Sequence, residues 1–111
     1  MTKLTPTDLL TAGEVSERTG VAISALHFYE REGLISASRT PGNQRRYARH
    51  VLRRVSIIQI AKRMGIPLTE VADEFDRLPA DRMPSARDWE RISRHWRGRL
   101  EARRLELERM E

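Results

Sequence analysis

Glycine punctuation constrains this chain most. Gly20, Gly33 and Gly65 each close a stretch of apolar residues at helical spacing, so the first two thirds must fold as short, separate helices. Thr11 is followed three residues later by Glu14, a pairing in which each side chain satisfies a free backbone N–H at a helix start. A first helix therefore runs from Thr11 to about Thr19, with Val15 as its main apolar contact. A second covers Ala22 to Glu32, with Ile23 and Leu26 inward and Tyr29 as a further candidate. Two short helices about a glycine turn make a helix-turn-helix, whose second helix is the one that reads a groove.

Beyond Leu34 and Ile35 the pattern becomes extended. Ser38-Arg39 and Gln44-Arg45-Arg46-Tyr47 flank Pro41-Gly42-Asn43, which predicts two short strands about a tight turn, a candidate wing. A third helix is expected over Ala48 to Met64, apolar at Val51, Leu52, Val55, Ile58 and Ala61. Pro67 suits the start of a fourth, with Leu68, Val71, Phe75 and Leu78 on one face and acidic residues opposite. Pro79 and Pro84 bracket a polar connection. Ser85 with Asp88 then opens a helix that nothing breaks before Glu111, Gly98 being only a weak cost. Its Trp96, Leu100, Leu107 and Met110 recur at spacings of four, seven and three, a heptad-like seam that Trp89 and Ile92 extend. The expected fold class is mainly α: a winged helix-turn-helix domain over residues 1–78, a linker over 79–85, and a dimerisation helix over 86–111.

Charge is segregated along the chain. The net value is +5, yet no Asp or Glu occurs from Gly33 to Leu68, where Arg39, Arg45, Arg46, Arg49, Arg53, Arg54, Lys62 and Arg63 all fall. Glu70, Asp73, Glu74 and Asp76 crowd the next segment. An ordinary solvated surface intersperses both signs, so this arrangement points to a polyanion. No apolar run is long enough for a membrane span, and the N-terminus lacks the pattern of a secretory signal, so a cytoplasmic protein without a membrane partner is expected. Cysteine is absent. His27, His50 and His95 lack ligand spacing and there is no glycine-rich phosphate loop, so no metal site and no enzyme is expected.

On the reading helix, Ser24, Ala25, His27, Phe28, Tyr29 and Arg31 are the candidates for base edges and phosphates. Phe28 and Tyr29 form an aromatic pair of which one member belongs to the core. Arg39, Asn43, Gln44, Arg45, Arg46 and Tyr47 supply amide, guanidinium and phenol groups at the wing, suited to phosphate or a minor groove. Arg49, Lys62 and Arg63 complete the candidate DNA-binding set. Trp89, Ile92, Trp96, Leu100, Leu107 and Met110 are the candidates for dimerisation.

The strings Gly13-Glu14-Val15, Ser24 to Glu30, Gly33-Leu34-Ile35, Gly42 to Tyr47 and Gly65 to Leu68 resemble the MerR family of regulators, in particular its SoxR branch. The segment holding Trp89 and Trp96 fits that branch too. The resemblance implies a homodimer joined by an antiparallel coiled coil. Each subunit would grip half of a palindromic promoter and deform an over-long spacer so that RNA polymerase engages both promoter elements. It also implies a sensor of redox-active compounds, in which four cysteines beyond the dimer helix hold a [2Fe–2S] cluster. This chain stops short of them, and no cofactor is expected within it. Two other readings stay open: an architectural, excisionase-like DNA-bending protein, or a MerR-like regulator with a different ligand or none. A helical interaction module with an incidental basic face would show no salt-dependent duplex binding.

Overall fold

A computed structural model describes residues 9–78 and 84–110. The chain divides into two compact units that meet between Asp76 and Arg77. The first holds β1 (Leu9–Leu10), α1 (Ala12–Thr19), α2 (Ile23–Arg31), β2 (Ser38–Arg39), β3 (Arg45–Ala48), α3 (Val51–Arg63) and α4 (Leu68–Phe75); the second holds α5 (Ala86–Arg109). Residues 79–83 of the expected linker, and Glu111, lie outside the described residues.

Helix α1 starts where its cap dictates. Glu14 N–H donates to the Thr11 hydroxyl at 3.1 Å and Thr11 N–H donates to Glu14 Oε1 at 2.8 Å. Gly20 closes it at φ 77°, a left-handed turn that a Cβ would strain. In α2, Leu26 and Tyr29 face the core while Ile23 stays 42% exposed. That corrects the inward placement of Ile23. At 100° per residue it lies 120° round the helix from Tyr29, at the edge of the buried stripe.

The wing is a β-hairpin. β2 pairs antiparallel with β3 in the register Ser38 with Arg46 and Arg39 with Arg45. Its turn closes through Asn43 N–H donating to Thr40 O at 2.8 Å, and Asn43 takes φ 62°, a conformation that asparagine tolerates. One element was not anticipated. β1 adds to the free edge of β3, pairing Leu10 with Tyr47 and giving the strand order β1-β3-β2. Ala48 belongs to β3, so the third helix begins at Val51 rather than at Ala48.

Val15, Leu26, Val55, Ile58, Ala61 and Val71 fill the core with essentially no exposed surface. Burying an aliphatic side chain of this size is worth about 1.5–3 kcal/mol. The acidic face of α4 is interrupted, because Glu74 is buried beside Phe75 in sequence while Asp73 and Asp76 are exposed.

Helix α5 opens with a second capping box, in which Ser85 N–H donates to Asp88 Oδ2 at 2.8 Å and Asp88 N–H donates to Ser85 Oγ at 3.2 Å. Its 24 residues span about 36 Å. Trp89, Ile92 and Trp96 are buried, and no side chain from Arg97 to Met110 is.

Candidate nucleic-acid interface

Projected at 100° per residue, the outward arc of α2 runs Ile23, His27, Arg31, Ser24, Phe28. Ser24, Phe28 and Arg31 are exposed and His27 is half-buried. Three polar side chains thus lie between two apolar flanks, a face that offers both hydrogen bonds and methyl contacts to base edges. The Arg31 guanidinium stands over the Phe28 ring at 5.9 Å from its centroid, which orients both. Ala25, half-buried, sits on the far shoulder.

The wing meets this face. An open cleft is lined by Ile23 and His27 of α2, by Thr11, Ala12 and Gly13 at the start of α1, and by Asn43, Gln44, Arg45 and Arg46 of the wing. On the opposite shoulder a second cleft joins Ala22, Ala25 and Tyr29 to Gln59, Lys62 and Arg63 of α3. Gln59 Nε2 donates to Thr19 O at 3.0 Å, which ties α3 to the end of α1 and sets Lys62 and Arg63 beside the reading helix. Cations therefore flank α2 on both sides.

Other expected contacts are placed differently. Tyr29 is a core residue, the inward member of the aromatic pair, with its ring 6.0 Å from that of Phe28. Tyr47 has no exposed surface, and its hydroxyl donates to Glu30 Oε1 at 3.3 Å. Burial, then the Glu30 charge, pushes its phenol above the ordinary tyrosine range. The Tyr47 ring is withdrawn from the surface, whereas Tyr29 keeps only the edge that lines the second cleft. Arg45 Nε donates to Glu30 Oε1 at 2.9 Å, and Arg39 donates to Glu30 Oε2 at 3.5 Å. Arg46 donates to Arg45 O and Gln44 Oε1 within the wing, at 2.8 Å and 3.2 Å.

Arg49 is half-buried at the end of β3, with an Nη1 that has no hydrogen-bond partner. Arg54, half-buried, stacks over the Phe75 ring at 5.1 Å. Burial, reinforced by the Arg54 charge, holds the His50 imidazole below its ordinary pKa. At the start of α1 the Thr11 backbone N–H, then its hydroxyl, hold the Glu14 carboxyl below the usual carboxylate range; Arg18 and Arg46 act in the same direction.

Two candidate positions of this surface were missed in the sequence. Ile23 reads as core from its apolarity, and only its angle on the helix gives it away. Glu30 was a member of a motif without a role, although it and Glu32 are the last acids before the arginine-rich stretch. An acid so placed is the natural partner of wing arginines.

Residues 11–47 match the model of the MerR family regulatory protein, and residues 52–111 match that of the MerR DNA-binding segment. This chain belongs to the MerR family. It is 46% identical over 94 residues to the HTH-type transcriptional activator SoxR homolog of Chromobacterium violaceum, a match that takes in 85% of this chain and 64% of that protein. Nodulation protein NolA of Bradyrhizobium elkanii is 43% identical over 53% of this chain and 27% of its own length. The chain thus spans less than two thirds of the length of these relatives.

Among solved structures, the transcriptional regulator SkgA of Caulobacter crescentus aligns with a TM-score of 0.60 at 25% identity, over 94% of this chain and 70% of that one. HiNmlR, a MerR-family regulator lacking the sensor domain and bound to promoter DNA, shares the fold with a TM-score of 0.61 at 21% identity, over 92% and 77%. The chain thus carries the MerR regulatory and DNA-binding segments, with SoxR-like sequence. A [2Fe–2S] cluster does not fit its residues: the chain has no cysteine, and the described residues contain no group of three His, Cys, Asp or Glu able to hold a metal ion. No helix among the described residues is long and apolar enough to cross a membrane.

Proposed function

We propose that this chain binds a palindromic promoter as a homodimer and controls transcription by distorting the spacer DNA between two promoter elements. The observation that carries the reading is the shared cleft. Ile23 and His27 of the reading helix and Asn43 to Arg46 of the wing open onto one surface, so a major groove and the adjoining backbone can be gripped together. Ser24, His27, Phe28 and Arg31 would face base edges, while Arg39, Asn43, Gln44, Arg46, Arg49, Lys62 and Arg63 would serve the backbone. A two-fold dimer matches a palindrome by symmetry, and the C-terminal half of α5 supplies the surface for it. Smoothly bending a duplex of roughly 20–30 base pairs costs about 1–6 kcal/mol, which contacts made only on the bent duplex must repay.

The role is that of a SoxR-like activator in a redox stress response, acting with RNA polymerase at the nucleoid in the cytoplasm, with the cluster ligands supplied by none of the residues here. The test has two steps. Duplexes recovered by in vitro selection should contain inverted half-sites and be protected as a pair in footprinting. Placed in a promoter with an over-long spacer, that site should give protein-dependent transcription with purified polymerase. Bending without activation would favour an excisionase-like architectural role. Absence of salt-dependent duplex binding would overturn the reading altogether.

A further inference from the structure

Within the DNA-binding reading, on which this inference rests, the structure assigns to Glu30 a positioning role: it sets the angle of the wing against the reading helix and divides the wing arginines into one that is structural and one that is given up to DNA. The observation is convergence. Glu30 lies on α2, and its carboxylate receives donors from both strands of the wing: Arg39 from β2, and Arg45 with the Tyr47 hydroxyl from β3. The wing cannot tilt on α2 without breaking several of these bonds at once. A carboxylate is suited to this, because it accepts several charge-assisted hydrogen bonds in one plane.

The three donors are not equivalent. Arg45 makes a 2.9 Å bond through Nε, and its side chain is 29% exposed; Tyr47 is fully buried beneath it. Arg39 reaches the same carboxylate at 3.5 Å with its side chain 42% exposed. Long, wet ion pairs are weakly held and exchange readily, whereas short, half-desolvated ones are costly to break. A phosphate arriving at the wing therefore takes Arg39 from Glu30 and leaves Arg45 in place. The positive charge of Arg45 is already neutralised by Glu30, so it adds little to counterion release.

Salt dependence separates these roles, since each phosphate contact contributes about 0.9 to the slope of log K against log salt. The variants are Arg39→Ala, Arg45→Ala and Glu30→Gln, each measured on a selected half-site duplex and on a random-sequence duplex. Arg39→Ala should flatten the slope by about 0.9 on both. Arg45→Ala should leave the slope unchanged and lower the preference for the selected duplex on the order of tenfold, as expected for one misplaced set of base contacts. Glu30→Gln frees Arg45 and should do two things together: steepen the slope on random duplex by up to about 0.9 and reduce the same preference. In the Glu30→Gln background, Arg45→Ala should cost no further preference. Equal flattening by Arg39→Ala and Arg45→Ala would overturn the assignment, as would a Glu30→Gln protein that loses affinity for both duplexes in proportion with its slope unchanged. If Glu30→Gln fails to fold by circular dichroism, the two arginine variants decide alone. A protein that binds neither duplex refutes the DNA-binding reading itself.

Discussion

The first unit and the C-terminal half of α5 solve the same problem in opposite ways. Both rest on helices opened by capping boxes, Thr11 with Glu14 and Ser85 with Asp88. In the first unit each short helix sinks a stripe into a shared core, so α1 to α4 all contribute fully buried side chains. Beyond Trp96, α5 has no fully buried side chain; Leu100 is half-buried, Leu105 is 43% exposed, Leu107 65% and Met110 82%. Its local support includes Arg104, which pairs with Glu101 and Glu108 on the solvent side. Exposed pairs of this kind are screened by water and contribute far too little to order an isolated helix, which is marginal in water without tertiary packing. A cap fixes where a helix starts. What it packs against decides whether it stays.

The sharpest way to break that contrast is at the exposed seam. Leu100→Ala with Leu107→Ala should weaken self-association by about 4 kcal/mol, roughly a thousandfold in Kd, if both side chains are buried between copies. The melting of the first unit should hardly move. Sedimentation velocity across a concentration series reads this directly, and a double variant as dimeric as the parent would show that the seam has no partner. Leu26→Ala should do the reverse. It opens a cavity in the first unit, costing about 3 kcal/mol and lowering Tm by roughly 10–20 °C. Sedimentation at low temperature should still show association through α5.

The same contrast explains what was legible before the structure. Local signals were reliable: Thr11, Gly20, Gly33, Gly65 and Ser85 marked helix ends through backbone chemistry that depends on neighbours a few residues away. The wing turn was equally plain, because Asn43 sits where φ turns positive. What stayed hidden is non-local. β1 is two residues long, and only its pairing with β3, far along the chain, makes it a strand. Tyr47 looks like a ligand-facing phenol among arginines until β1 covers one side and Glu30 takes its hydroxyl. Glu74 follows the acidic run in sequence but not in space. The reading helix was legible as an element, whereas the division of its side chains between core, wing and outer face required the helix to be docked.

Arg46 sharpens the comparison at the wing. It lines the cleft with Ile23 and His27, and it donates to Arg45 O and Gln44 Oε1 within the wing. Arg46→Ala should therefore flatten the salt slope by about 0.9, so that the affinity lost between 50 and 200 mM salt shrinks by roughly 3.5-fold. Titration of fluorescent duplex at four salt concentrations checks it, and an unchanged slope removes Arg46 from the backbone contacts.

The smallest effect belongs to His50, at the junction of wing and α3. Its folded pKa is lowered, first by burial and then by the Arg54 charge, whereas the unfolded chain titrates near the ordinary value of about 6.5. The unfolded state therefore binds the proton more readily, and stability rises with pH through this group. The favourable condition is complete above about pH 6.5 and is lost as pH falls below that value towards the folded pKa. Because the imidazole is only partly withdrawn from water, the loss should be small. Glu14 and Glu101, whose folded values lie below the ordinary 4.5, act in a lower pH window. Urea unfolding at pH 5.5 and 7.5 should show the parent losing stability at the lower pH, and His50→Gln losing less. Equal losses in the two proteins would mean that His50 titrates in the folded chain as it does in the unfolded one, and that the junction between wing and α3 is open to water.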